Sequence, residues 1–425
     1  MHKLLQDFGS ARLQGKTPGI YSVCSSHPWV LEAAMRHALQ SNGPLVIEAT
    51  CNQVNQFGGY TGMTPKDFRQ LVLDLAAKVG FPADRLILGG DHLGPYPWQG
   101  LSAERAMKNA AEMVVGFVQE GFGKIHLDTS MPCSDDPTPL PYEVIAERAA
   151  ALAQSAELCS ISDKPVYVIG TEVPTPGGAV EELEATVTSY AAAELAFASH
   201  EHAFRSAGLS SAWSRVTALV VQPGVEFGHE QILNYDSRKS EELRPFLQAH
   251  PELIFEAHST DYQRPKAYRD LVHDGFAILK VGPALTYAMR QAIFALARVE
   301  DESIAVADRS RLEDVLLEAM LKEPESWQKH YQGALTERHR LLLYSYSDRL
   351  RYYWGKPAVR KALDTLIHNL ESKTISETLL SEFLPNQYLK VRSGELECRP
   401  LPLIFDKISE ELAPYSAACS SAWVL

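Results

Sequence analysis

The chain contains no Cys-x-x-C pair; its six cysteines, Cys24, Cys51, Cys133, Cys159, Cys398 and Cys419, lie far apart. That spacing indicates neither a zinc knuckle nor a disulfide framework, so reduced thiols are expected. Long hydrophobic runs are missing as well, none approaching the roughly 20 residues of a membrane span. The opening segment MHKLLQDFGSARLQGK has neither the apolar core nor the small-residue cleavage site of a signal peptide, so a cytoplasmic protein without a membrane partner is expected. Blocks of one charge sign are also absent. The net charge of −13 is spread along the chain, which favours solubility and disfavours a nucleic-acid partner. No G-x-x-x-x-G-K-[ST] loop and no kinase-type glycine-rich loop occur, which removes the usual phosphate cradles of kinases.

What is present is a repeated pattern. With 425 residues, 45% hydrophobic and 22% charged, the chain can bury one large core and carry an extension. Apolar strands with polar ends recur as GIYSVCSSH (19–27), LVIEAT (45–50), RLILGGDH (85–92), KIHLDTS (124–130), VYVIGTEVP (166–174), ALVVQPG (218–224), LIFEAHSTD (253–261) and AILKVGPA (277–284). Segments such as DFRQLVLDLAAKVG and AERAMKNAAEMVVGFVQEGF separate them, with apolar residues three and four apart as in amphipathic helices. Eight strand–helix units predict a (β/α)8 TIM barrel over residues 1–302. A doubly wound open sheet is the alternative, but no G-x-G-x-x-G follows the first strand, and polar residues end nearly every strand rather than marking one switch point. Residues 303–425 are predicted to form a mostly helical C-terminal extension.

In a barrel the polar strand ends converge on one face, where active sites are built. Glu48, His92, Asp128, Glu172, Gln222, His258 and Lys280 all sit near strand ends, and residues two apart share a face, as His126 with Asp128 and Glu256 with His258. A lone Glu or His at a strand end is more often a cap or an ion-paired residue. Many on one face are costly to bury without metal, substrate or mutual pairing. A catalytic Zn²⁺ takes about three His or carboxylate ligands and keeps an open position. His92, Glu172 and His258, from alternate strands, offer such a set, with Asp91, Asp128 and Glu48 as candidate catalytic groups. Asp91, next to His92, is expected to point differently from it. Asn52 and Gln53 of the second βα loop, with Gln222, Ser259 and Lys280, are candidate substrate contacts. Lys280 as a Schiff-base nucleophile is a minor alternative to its being an ion-pair partner.

Several long motifs carry a resemblance. GGDHLGP, VIGTEVPTPGG, FEAHSTDYQ, AILKVGPALTYAMR and IEATCNQVNQFGGYTGMTP, with SYSDRLRYYW (345–354) and LPNQYLKVRSGEL (384–396), resemble the GatZ/KbaZ family, the Z subunits of class II D-tagatose-1,6-bisphosphate aldolase. IFEAHSTDYQ and YSYSDRLRYYW are closer to the KbaZ branch. The resemblance implies a partner, the catalytic Y subunit, which cleaves tagatose 1,6-bisphosphate to dihydroxyacetone phosphate and glyceraldehyde 3-phosphate. It implies a Z subunit that supports the activity and stability of Y without aldolase activity of its own, in galactitol or N-acetylgalactosamine (tagatose 6-phosphate) catabolism.

The family's catalytic relatives carry Asp-His at the third strand, as proton donor and zinc ligand, and Asp91-His92 match. Their second His ligand corresponds to Glu172. The third corresponds to His258, but Ser259-Thr260-Asp261 replaces their glycine-rich phosphate loop, which is poorly suited to holding a phosphate on backbone N–H groups. The expected function is therefore the supporting subunit, with a metal-dependent ketose or ketose-phosphate 4-epimerase as the alternative. A tagatose 6-phosphate kinase fits poorly. A divalent metal, Zn²⁺, and a sugar phosphate are the implied ligands, and homo-oligomerisation stays open. The aromatic-rich stretch YSYSDRLRYYWGKP (344–357) reads as a core over or under the barrel, as a partner-docking surface, or, through Arg349 and Arg351, as a phosphate contact.

Overall fold

The computed structural model describes residues 2–159, 163–171 and 185–419. Six strands, β1 (Ile20–Cys24), β2 (Leu45–Thr50), β3 (Leu86–Leu93), β4 (Lys124–Leu127), β5 (Val166–Ile169) and β6 (Val216–Val220), precede a short antiparallel hairpin of β7 (Glu226–Phe227) and β8 (Ile232–Leu233). Then come β9 (Ile254–Ala257) and β10 (Phe276–Val281). The hairpin stands apart, and the other eight strands close into a parallel barrel with β10 paired back to β1.

A helix follows each barrel strand. Pro28, Pro65, Pro265 and Pro283 occupy the first turns of theirs, where a missing N–H costs nothing. The helix Pro65–Val79 shows how its sequence sets both ends. Thr64 accepts from the Asp67 backbone N–H while the Asp67 carboxylate accepts from that of Thr64, and Gly80 ends the helix at φ 73°. Among the described residues no helix is long and apolar enough to cross a membrane.

The barrel interior has two zones. Its floor is apolar, built from Ile20, Val46, Ile87, Val166, Val168, Ala218, Val220, Ile254 and Ile278 and plugged by Leu5 and Phe8 of the N-terminal helix Leu4–Leu13. Each fully buried aliphatic side chain contributes about 1.5–3 kcal/mol. Above the floor the inward positions become charged: Glu48, Lys124, Glu256 and Lys280 are all buried. The outer core, between strands and helices, is continuous and apolar.

The region after residue 303 is helical and packs back on the barrel. Leu316, Leu366, Leu403 and Leu412 belong to the same apolar cluster as Val30, Leu285 and Ile293 of the barrel helices. The last helix, Pro400–Cys419, lies against the helices Pro28–Ala38, Pro265–His273 and Pro283–Ser303, and the Tyr415 hydroxyl donates to the Thr260 carbonyl at 2.9 Å. The aromatic-rich stretch is fastened by Asp348, which accepts from Thr286 Oγ1 at 2.6 Å and pairs with buried Arg290 at 3.1 Å. That anchor carries Arg351, Tyr352 and Trp354 to the wall of the cavity above the barrel.

Candidate metal centre and its cavity

The end of β3 is where regular alternation breaks. The β3–β4 ladder shifts register between Gly90 and Leu93, and His92 has φ 49°, a left-handed value rare for a residue with a Cβ. As a result Asp91 and His92 reach the same cluster, Oδ2 to Nε2 at 3.8 Å. The expectation from strand parity that Asp91 points differently is thus corrected: parity holds only where the ladder is regular. The glycines of GGDHLGP serve close approach. A Cβ on Gly89 would lie 2.5 Å from Glu48 Oε1, and one on Gly94 would lie 1.6 Å from the Asp128 carbonyl oxygen.

Three imidazoles meet above the charged zone. His92 Nδ1 bonds Asp128 Oδ2 at 2.8 Å, and His258 Nε2 bonds Glu256 Oε1 at 2.9 Å. Carboxylates so placed orient both rings, and His92 Nε2 and His258 Nδ1 lie 3.1 Å apart, within hydrogen-bond distance. Two ligands of a tetrahedral zinc stand about 3.3 Å apart, so this pair is already at ligand spacing. His126 Nδ1 lies 3.0 Å from Asp91 Oδ1, while its Nε2 is buried without a hydrogen-bond partner among the described residues. One ligand atom from each of Asp91, His92, His126 and His258 falls within 4.8 Å of the others. This donor set fits a divalent cation, with Asp128 and Glu256 as the outer carboxylates.

Electrostatics agree. Lys124 pairs with Glu48 at 2.7 Å and Glu256 at 2.8 Å; Lys280 pairs with Glu48, with Asp91 at 2.8 Å and with Glu256 at 3.5 Å. Four carboxylates (Glu48, Asp91, Asp128, Glu256) stand against two ammonium groups, so acidic groups outnumber lysines at the centre, as suits a cation. Burial opposes charge on Asp91, but Lys280 and His92 outweigh it and hold the carboxyl well below its usual range. Burial likewise opposes charge on His92, yet Asp91 and Asp128 raise it. His258 goes the other way: burial, only partly offset by Glu256, brings it down to about 3, so it is a neutral, ligand-competent imidazole. Burial also works against the Lys280 ammonium, but Asp91, Cys24 and Glu256 raise it well above its ordinary value. An ammonium held so firmly by carboxylates is not a Schiff-base nucleophile.

A cavity of about 880 Å³ opens over this centre. Asp91, His92, His258 and Lys280 reach it from below, and Asn52, Gln53 and Ser259 stand on its walls. Glu48 and Asp128 do not face it; the first lies under the cluster among Ser22, Lys124 and Lys280, and the second supports His92. Gln222 is turned to its own loop, its Oε1 accepting from the N–H groups of Gly224 and Val225 at 2.9 and 3.0 Å. Glu172 lies outside the described residues. Sequence reasoning assigned no metal role to His126, although its place two residues before Asp128 marked the shared face. It also passed over Asp261, which caps the helix Pro283–Ser303 from the cavity wall.

The family described as D-tagatose-1,6-bisphosphate aldolase subunit GatZ/KbaZ-like matches residues 5–420. The chain belongs to this family. A crystal structure from Sinorhizobium meliloti 1021, described as a probable tagatose 6 phosphate kinase, is 46% identical with a TM-score of 0.88 and covers 94% of this chain and 100% of its own. The YdjI aldolase from Escherichia coli K12 shares 11% identity at a TM-score of 0.42, covering 87% of this chain and 98% of its own. Fructose-bisphosphate aldolase from Campylobacter jejuni shares 14% at 0.44, covering 87% and 92%. Likeness at that level carries no argument about function.

Proposed function

We propose that this GatZ/KbaZ-like chain is a metal-dependent enzyme of ketose phosphates whose pocket carries out 4-epimerisation by breaking and remaking a carbon–carbon bond. The observation that carries the reading is the approach of His92 Nε2 and His258 Nδ1 to 3.1 Å, on rings each oriented by its own carboxylate. His92, His126 and His258 would hold the ion, which we take to be Zn²⁺, and leave a position open for the substrate. When bound, such an ion polarises a ketose carbonyl and stabilises negative charge on the neighbouring oxygens. Asp91, on the cavity wall beside His92, is placed to take the proton of the substrate's C4 hydroxyl. Its removal lets the C3–C4 bond break, with C4 becoming an aldehyde and the bond electrons passing to the carbonyl-bearing fragment. Rotation of the aldehyde, bond formation on its other face and return of the proton invert C4 without loss of atoms. Asn52, Gln53, Ser259 and Lys280 would hold sugar hydroxyls during the rotation.

The family match over residues 5–420 favours a second reading, support of a catalytic Y subunit in tagatose-bisphosphate cleavage. A kinase reading gains nothing from the sequence, which has no phosphate-cradling loop of the NTPase or kinase type. The deciding experiment incubates the metal-replete chain, without Y, with tagatose 6-phosphate and with tagatose 1,6-bisphosphate and identifies the products. A C4 epimer supports the enzyme reading. Inertness on both sugars, together with a longer half-life of Y in the presence of this chain, would put the supporting subunit first.

A further inference from the structure

The wall of the same cavity brings a helix terminus and several cationic side chains together. Asp261 is 2% exposed, lines the cavity beside Ser259 and Gly282, and its Oδ2 accepts from the N–H groups of Gly282 at 3.0 Å and Ala284 at 2.9 Å. These donors stand at the positive end of the 21-residue helix Pro283–Ser303, a place suited to an anion. The protein's own carboxylate fills that place. Burial pushes the Asp261 carboxyl up to about 6, so it is ionised at neutral pH and repels a second anion.

Four cationic side chains reach the cavity wall: Lys280, Arg351, Lys356 and Arg360. Lys280 is held by Glu48, Asp91 and Glu256, and Lys356 by Glu323. Arg351 and Arg360 have no carboxylate within 4.0 Å among the described residues, although Asp364 shares the wall one turn after Arg360. Arg351 is nevertheless fixed in place. Its Nη1 donates to the carbonyls of Ser347 and Asp348, its Nη2 to the Tyr352 hydroxyl at 2.9 Å, and its guanidinium lies 4.5 Å from the Tyr352 ring centroid. A preorganised guanidinium on a cavity wall without a carboxylate partner is suited to an oxyanion that arrives with the substrate.

We infer that the cavity selects ketose monophosphates: one phosphate binds at Arg351 with Arg360 beside it, and the Asp261 carboxylate bars a second from the helix terminus. This rests on the proposed ketose-phosphate pocket but not on turnover. Calorimetric titration of the zinc-loaded full chain with tagatose, tagatose 6-phosphate and tagatose 1,6-bisphosphate tests it directly. Tagatose 6-phosphate should bind about tenfold or more tighter than either of the other two. Asp261→Asn keeps a side-chain oxygen for the helix terminus but removes the charge, and should raise bisphosphate affinity relative to monophosphate by about tenfold. Arg351→Met should bring tagatose 6-phosphate down to the affinity of free tagatose while leaving free tagatose unchanged. The inference is overturned if the bisphosphate binds wild type as tightly as the monophosphate, if Asp261→Asn leaves their ratio unchanged, or if no sugar binds. An inert chain that shows this binding order loses the epimerase reading and keeps the selectivity; an active one that binds both phosphates equally does the reverse.

Discussion

His92 and His258 each give one ring nitrogen to a carboxylate, and that gift fixes what the other nitrogen can do. Loss of such an outer partner typically lowers metal affinity by about 10–100-fold. Asp128→Asn should therefore weaken zinc retention by that order in competition with a chromogenic chelator while leaving the thermal midpoint near wild type. Equal retention in variant and wild type would mean that Asp128 does not orient His92 toward a metal. A second residue-scale effect concerns pH. Burial pushes the Glu226 carboxyl from 4.5 up to about 7, opposed by its bond to the Phe227 N–H. The folded protein then keeps this proton over a range where the unfolded chain has lost it. Its contribution is fully present below about pH 4.5 and falls as pH rises to about 7, by about 3 kcal/mol at most. Glu226→Gln should flatten the stability profile between those limits, as read by urea unfolding at several pH values; an unchanged slope would assign it to another group.

At the scale of elements, the N-terminal helix Leu4–Leu13 works as a plug rather than as a member of the outer helical ring. Leu5 and Phe8 complete an apolar floor made otherwise of barrel strands. Truncating a buried phenylalanine to alanine costs about 3–5 kcal/mol, since the cavity left behind collapses only in part. Phe8→Ala should lower the denaturation midpoint accordingly, although the residue is far along the chain from every ligand. A change under about 1 kcal/mol would show that the floor closes without it. The β3 terminus makes the complementary point. Alternation in the sequence separated Asp91 from His92, but the register shift between Gly90 and Leu93 and the left-handed φ at His92 bring both into one cluster.

For the whole molecule, the region after residue 303 matters to the barrel and to the cavity alike. It shares the barrel's outer apolar core and, through Asp348, brings Arg351 and Tyr352 to the cavity. We expect a chain ending at residue 302 to lose cooperative unfolding and to expose apolar surface, read by calorimetry and dye binding. A truncated barrel that melts cooperatively near the full-length midpoint would support residues 303–425 as an independent extension and make a partner-docking role for them the better reading. Eight strands, their order and their polar ends were legible because each is local: apolar runs of strand length, turn residues between them and helical spacing in the gaps. His92, His258 and Lys280 could be named for the same reason, since a strand end in a barrel points to one face. Which nitrogens face each other, that His126 joins them, that Glu48 lies beneath the site and Gln222 folds onto its own loop, and that an arginine some 90 residues beyond His258 lines the cavity all depend on barrel closure. Closure sets distances between residues remote in sequence, and no local pattern encodes those distances. The sequence determined the parts and the face they share; the tertiary structure decided which of them touch.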